Sequence, residues 1–116
     1  MEQEGLLFPK NQQKKKERKH HPPSIIPGDN RKICYMCGCW KNIEEHHIFF
    51  GKGRKDKSEE YGLKVHLCME CHRTGKRAVH KCEETNLYFK RNAQRAFENQ
   101  IGSREDFIKL IGKNYL

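Results

Sequence analysis

Two Cys-x-x-Cys pairs are the feature that most constrains this chain. Cys34 and Cys37 form the first pair, Cys68 and Cys71 form the second, and 30 residues lie between the pairs. Each pair can form a tight turn that presents two thiolates, and four soft sulfur ligands favour a tetrahedral zinc ion. Because four thiolates fill the tetrahedral shell, such an ion would be structural and its binding energy would be folding energy. Disulfides or a redox pair are the alternative, but a redox Cys-x-x-Cys is expected beside a βαβ pattern, which this chain lacks.

The composition shows why a metal cross-link is needed. Of the 116 residues only 34% are hydrophobic, and the first 30 residues contain almost nothing that could join a core. A small core of this kind seldom supplies more than a few kcal/mol. The early apolar run Leu6–Phe8 is followed at once by Pro9 and lysines, which is neither a secretory signal nor a membrane span. We therefore expect an α+β, metal-stapled protein of the reducing cytoplasm, without membrane association.

Residues 1–30 are predicted to form a disordered basic arm. The stretch from Lys10 to Lys19 has six positive charges, one negative charge and no apolar residue, in a chain whose net charge is +9. Such a run cannot bury enough surface to offset the entropy lost when a backbone becomes ordered. The arm would act either as a solubility tail or as a partner for nucleic-acid phosphates, and the sequence leaves both open.

Residues 31–82 are predicted to form the zinc-bound domain. His46–Phe50 and Leu63–Leu67 have the length and the β-branched or aromatic content of two short strands. We expect a polar, glycine-containing loop over residues 51–62 between them. A short helix from Cys68 to about Lys76 would follow the second strand.

Residues 83–116 are predicted to form a helical pair that completes the core. From Phe89 to Ile101 the apolar residues recur at helical spacing, with charged residues on the other faces. Ser103 precedes Asp106 by three residues, which is a variant of the capping box, and Gly112 is expected to end the second helix.

The histidines next to these elements predict a second, open metal site. His46 and His47 are adjacent at the start of an apolar strand, and His72 directly follows the last paired cysteine. Once the four cysteines hold one ion, these histidines would lie near the same junction. One imidazole can then ligate a divalent ion while its neighbour takes a proton from water. Since neighbours on a regular strand point to opposite faces, both histidines reach one site only at a strand end or a distorted turn.

The remaining polar residues receive simpler interpretations. Cys39 and Cys82 are interpreted as bystanders, with the alternative that either replaces a zinc ligand. His66 is expected on the outer face of the ribbon with Lys64, exposed or near substrate. Glu44–Glu45 could orient an imidazole, but we favour plain exposure.

These motifs resemble those of the HNH nucleases, whose ββα-metal fold is often stapled by a four-cysteine zinc. The resemblance covers roughly residues 31–82, and features of the loop and of the ending Gly112–Leu116 are similar to small phage-encoded HNH proteins, some of them associated with recombination. The motifs that carry it are Cys34-x-x-Cys37, His46-His47-Ile48 and Leu67-Cys68-x-x-Cys71-His72.

The resemblance implies a metal-dependent DNA endonuclease of a bacterial or phage-infected cell. His46 and His72 would ligate the catalytic divalent ion, which could be Mg²⁺, Mn²⁺, Ni²⁺ or Zn²⁺, and His47 would be the general base. In such an enzyme the base activates water and the ion stabilises the phosphate.

The chain departs from the family pattern at two positions. Gly62 stands about where the family has a structural asparagine, so the role of that residue must pass to another group or be lost. Lys76 stands where one subgroup has a further histidine. We expect His80 to be the substitute ligand, because Gly75 can turn the chain back toward the site.

DNA is the predicted partner, together with a recombination protein of the phage or host. Lys52, Arg54 and Lys55 in the basic loop are expected to contact the phosphate backbone, with a plain solvated loop as the alternative. The rival function is a non-catalytic, zinc-dependent nucleic-acid-binding module, which the missing asparagine favours. A protein-interaction adaptor makes poor use of the positive charge, and the sequence does not predict an oligomeric state.

Overall fold

A computed structural model describes residues 22–116. Most of the predicted basic arm, residues 1–21, lies outside the described residues. The described chain is a small mixed structure of two strands, three helices and one π-helical turn. In chain order the elements are β1 (Ile43–His47), α1 (Arg54–Tyr61), β2 (Lys64–Cys68), the π-helical turn (Glu70–Thr74), α2 (Glu83–Gln100) and α3 (Arg104–Ile111).

The two strands form an antiparallel ribbon whose register pairs Ile43 with Cys68 and His47 with Lys64. The first strand was predicted three residues too late, at His46–Phe50. The difference arises because Phe49 leaves the ribbon: its N–H and carbonyl both bond the Ser58 hydroxyl, at 3.0 and 2.7 Å. A side chain thus replaces the partner strand for this residue.

The expected loop between the strands contains α1, so that prediction is wrong. The helix has no apolar stripe, and its one buried residue is Ser58. A helix of polar residues produces no hydrophobic periodicity, which is the signal that sequence analysis depends on. Two glycines with positive φ, Gly53 at +80° and Gly62 at +72°, bound the helix.

The packed structure begins earlier than residue 31. Ile26 is buried in the core, and the N–H of Ile25 donates to the carbonyl of Gly62 at 2.9 Å. Asp29 accepts hydrogen bonds from both the backbone and the ring of His66. Residues 22–30, which the sequence placed in the arm, therefore pack against α1 and β2.

The C-terminal helices cover the ribbon with aromatic residues. Phe89 and Phe97 of α2 are buried, as is Phe107 of α3, which packs on Phe97 with 5.4 Å between ring centroids. The capping box of Ser103 and Asp106 is present as predicted. Among the described residues, no helix is both long and apolar enough to cross a membrane.

Candidate functional site

The four paired cysteines meet in one cluster at the end of the ribbon. Backbone N–H groups point at the sulfur atoms: that of Cys37 at Cys34, and that of Cys71 at Cys68. All four Sγ atoms lie within 4.8 Å of one another, and those of Cys37 and Cys68 are 3.7 Å apart. Zn–S bonds of about 2.3 Å in a tetrahedron separate sulfur atoms by about 3.8 Å. The cluster could therefore hold a structural metal such as zinc.

The pKa values of these thiols indicate that a cation between them would stabilise their ionised form. Burial acts to raise the pKa of Cys34, but backbone N–H donors, those of Cys37 and Cys68 first, outweigh it and bring that pKa to about 7. Burial and then the neighbouring thiols raise the pKa of Cys71. Thiolates this close repel one another, so a positive ion is what allows all four to ionise.

The two unpaired cysteines lie outside this cluster. The sulfur of Cys39 forms hydrogen bonds with the backbone carbonyl and N–H of Lys41. Cys82 is the residue directly before α2. All six cysteines, every one of which lies within the described residues, are free. The four-sulfur set is thus complete without either of them.

Three histidines form a second cluster on the ribbon. His46 comes from β1, His72 from the π-helical turn and His80 from the segment before α2, and one ring nitrogen from each lies within 4.8 Å of the others. The Nε2 atoms of His72 and His80 are 3.0 Å apart. Imidazole nitrogens bound to one ion at about 2.0–2.1 Å lie about 3–4 Å apart. The cluster could hold a cation.

The π-helical turn brings His80 to this place. The N–H of Gly75 donates to the carbonyl of Glu70 at 2.8 Å, which closes a turn one residue wider than an α-helical turn. The chain then folds back, and the N–H of Val79 bonds the carbonyl of Cys71.

His46 is the buried member of the cluster and has an unused nitrogen. It is 1% exposed, and its Nε2 has no hydrogen-bond partner among the described residues. Burial, followed by the charges of His72 and His80, lowers the pKa of His46 to about 3. Its imidazole is therefore neutral, which is the form that ligates metal. A buried nitrogen without a partner is costly, and a cation would satisfy it.

Glu44 orients His72. Its carboxylate lies 2.7 Å from His72 Nδ1 and is also held by Arg73 at 2.7 Å. Hydrogen bonds from Arg73 and then His72 lower the pKa of Glu44 to about 2, so it stays an acceptor. Since Nδ1 donates to it, Nε2 keeps its lone pair toward the cluster, as in carboxylate–histidine–metal arrangements. The preference for a plainly exposed Glu44 is wrong.

His47 is the last residue of β1 and is not a member of the three-histidine cluster. Its Nε2 lies 2.7 Å from Glu59 Oε1 on α1, and Glu59 Oε2 accepts from Lys64 Nζ at 3.0 Å. Burial acts to raise the pKa of Glu59, but the bonds from His47 and Lys64 lower it to about 2. Glu59 was missed because α1 was not predicted.

Glu45, His47 and Glu59 also bring their ligand atoms within 4.8 Å of one another. Here the Lys64 ammonium already lies 3.3 Å from Glu45 and 3.0 Å from Glu59. Its charge compensates the two carboxylates, so this group needs no metal ion.

Gly62, at the position of the expected asparagine, has a structural function. Its left-handed backbone ends α1, and a Cβ atom there would collide with the carbonyl oxygen of Pro23. No larger residue fits without a shift of the segment before β1.

The other predicted residues are placed as follows. Lys52 lies just before α1, and Arg54 and Lys55 begin it; all three side chains are exposed. His66 was expected to be exposed or near substrate. It is partly covered and bonds Asp29 at 2.7 Å, and Lys64 on the same face is buried.

Comparison of the chain with protein-family models, with curated proteins and with solved structures finds no match.

Proposed function

We propose that the protein is a metal-dependent DNA endonuclease of the HNH type, in which the cysteine cluster holds structural zinc. The observation that carries the proposal is the buried, unpartnered Nε2 of His46 in a three-histidine cluster, next in sequence to a histidine with its own carboxylate. The ring nitrogens of the three-histidine cluster are available to bind a cation, and the separate imidazole of His47 is available to accept a proton. These are the two parts that metal-assisted hydrolysis needs.

A divalent cation at His46, His72 and His80 would supply the positive charge that stabilises the phosphate in the transition state. Three protein ligands leave coordination positions free, unlike the four sulfurs. Glu44 and Arg73 hold His72 in the tautomer that ligates, and burial keeps His46 neutral.

His47 would act as the general base through Nδ1. A carboxylate only accepts hydrogen bonds, so the contact with Glu59 places the His47 proton on Nε2 and leaves the lone pair on Nδ1. Lys64 fixes Glu59 in turn. We propose that this pair replaces the orienting asparagine that Gly62 cannot supply. Glu59 also stabilises the imidazolium that forms when His47 takes the water proton.

DNA is the substrate that the net charge of +9 favours, since phosphate contacts dominate nucleic-acid affinity. The rival is a non-catalytic binding module in which the histidine cluster is structural. Gly62 favours this rival, because the asparagine of the family pattern is absent. The His47–Glu59 pair favours the enzyme, because it adds a carboxylate-bonded imidazole next in sequence to His46 of the three-histidine cluster.

The test is cleavage of supercoiled plasmid by the zinc-loaded protein with added Mg²⁺, Mn²⁺, Ni²⁺ or Zn²⁺. His47→Gln should lower the rate about 10²- to 10⁴-fold, the usual contribution of a general base. His66→Gln is the matched control, because His66 is also a carboxylate-bonded histidine of the ribbon. It should cleave like the wild type.

Two results would move the assignment to the binding module. One is a folded, DNA-bound wild-type protein that cleaves no duplex, single-stranded or branched DNA with any of these ions. The other is cleavage that His47→Gln and His66→Gln reduce equally.

A further inference from the structure

Three cations that sequence analysis did not group converge from three elements. Lys90 lies on α2, Arg54 begins α1, and Lys113 follows α3. Lys90 Nζ and Lys113 Nζ each lie 5.3 Å from the centroid of the Tyr115 ring. The Arg54 guanidinium lies 3.8 Å from the position that a Cβ atom at Gly112 would occupy.

The segment that carries Lys113 is fixed to α2. Gln94, which is fully buried, donates to Asn114 at 2.7 Å and accepts from the Tyr115 N–H at 2.8 Å. The Tyr115 ring packs on Phe49, with 5.7 Å between centroids. The position of Lys113 beside Lys90 is therefore a property of the fold.

No carboxylate of residues 22–116 lies within 4.0 Å of these three side chains, whereas Lys64, Arg73 and Arg104 each have at least one such partner. Burial, and then the charges of Lys113 and Arg54, lower the pKa of Lys90 against the opposing effect of Glu83. Like charges held together cost folding free energy, and a bound anion would relieve that cost.

Phe50 links this group to the three-histidine cluster. Its half-exposed ring lies 6.0 Å from Lys90 Nζ and packs on the rings of His80 and His46, at 5.2 and 6.0 Å. Lys90 and two of the clustered histidines, His46 and His80, therefore lie against the same aromatic ring. A strand with a phosphate at the histidines has further charges about every 3.4 Å along its axis, so its neighbouring phosphates come within reach of Lys90.

We propose that Arg54, Lys90 and Lys113 form a phosphate cradle, which binds the nucleic-acid backbone beside the phosphate held at the histidine cluster. This inference rests on the proposed function. It assigns the contacts with the nucleic-acid backbone jointly to residues of α1, α2 and the C-terminal segment. Of the three loop residues that were predicted to contact phosphate, it retains Arg54 alone.

The test measures the affinity of the full-length, zinc-loaded protein for a short DNA duplex over a range of salt, without added divalent ion. Each phosphate contact contributes about 0.9 to the slope of log affinity against log salt. Lys90→Gln with Lys113→Gln should therefore lower the slope by about 1.8. Lys109→Gln is the control, since Lys109 is an exposed lysine of α3 outside the cradle. Lys90→Arg with Lys113→Arg should keep the wild-type slope.

An unchanged slope in the double glutamine variant would overturn the cradle. A decrease of the slope in Lys109→Gln that equals the decrease per lysine in the double variant would overturn it too. If the double variant does not fold, the single exposed change Lys113→Gln should still lower the slope by about 0.9. The assay involves no cleavage, so its outcome is separate from that of the nuclease test. A slope that falls in a protein that cleaves nothing keeps the cradle and rejects the enzyme.

Discussion

The four-cysteine cluster and the three-histidine cluster differ in how they are assembled. Each cysteine pair is local, because two residues separate its sulfurs and backbone N–H groups of the same turn point at them. The histidines come from β1, the π-helical turn and the segment before α2, and they need Glu44 from outside the set for orientation. Under the proposed function, the closed cluster would hold the fold and the open one would carry the chemistry.

The sharpest test of this comparison uses two neighbours in the sequence, Cys71 and His72, one from each cluster. Cys71→Ser should unfold the domain, because structural zinc supplies about 10–16 kcal/mol in small modules, as much as a whole domain's stability of about 5–15 kcal/mol. Zinc content and circular dichroism measure the loss. Cys39→Ser, a thiol outside the cluster, is the control and should remain folded. A folded Cys71→Ser protein with full zinc content would contradict the division of roles.

His72→Ala should have the opposite phenotype. We expect it to keep its fold and its structural zinc, and to lose cleavage at low metal because the divalent ion is bound more weakly by the two remaining histidines. Part of the rate should return at high divalent-ion concentration, because two histidines remain. Titration of the ion against rate measures this. Loss of fold in His72→Ala would show that the two clusters are one structural unit.

Glu44→Gln should have a smaller effect on the same site. The amide no longer fixes the His72 tautomer as a carboxylate does, and outer-shell changes of this kind weaken metal affinity about 10- to 100-fold. Glu45→Gln is the matched control, since Glu45 is the next residue of β1 and lies on the side of Lys64. Isothermal titration of Mn²⁺ or Ni²⁺ should separate the two variants, and equal affinities would remove Glu44 from the site.

The smallest expected effect is on stability against pH. The pKa of buried His46 is lowered to about 3 in the folded protein, against about 6.5 in an unfolded chain. Between these values the unfolded state binds more protons, so stability falls as pH decreases, by up to about 1.4 kcal/mol per unit. His46→Gln should lack this component. Denaturant unfolding of both proteins at pH 7 and pH 5.5 gives the difference, and parallel curves would show that His46 is not buried in its neutral form.

Features that depend on local spacing were predictable from the sequence. The Cys-x-x-Cys pairs and the capping box of Ser103 are patterns within a few residues, and the structure has both clustered sulfurs and the box. The second strand begins one residue later than predicted. The first ends three residues earlier than predicted, because the Ser58 hydroxyl takes Phe49 out of the ribbon. No pattern near Phe49 indicates that contact.

The orienting residues could not be predicted for a different reason. Glu59 lies on a helix without an apolar stripe, so neither the helix nor the contact with His47 produces periodicity. Lys90 was assigned only to an outer face of α2, and its neighbours Lys113 and Arg54 are far away in sequence. Such groupings depend on tertiary packing, and no short stretch of the sequence indicates them.

The π-helical turn also determines which changes of chain length the protein can accept. Consecutive residues of this turn, Cys71 and His72, serve different clusters, and the turn contains one residue more than an α-helical turn would. Each residue of an α-helix rotates the chain by about 100°, so a single deletion within Glu70–Thr74 would redirect the chain that leads to His80. The π-helical turn therefore has a fixed length.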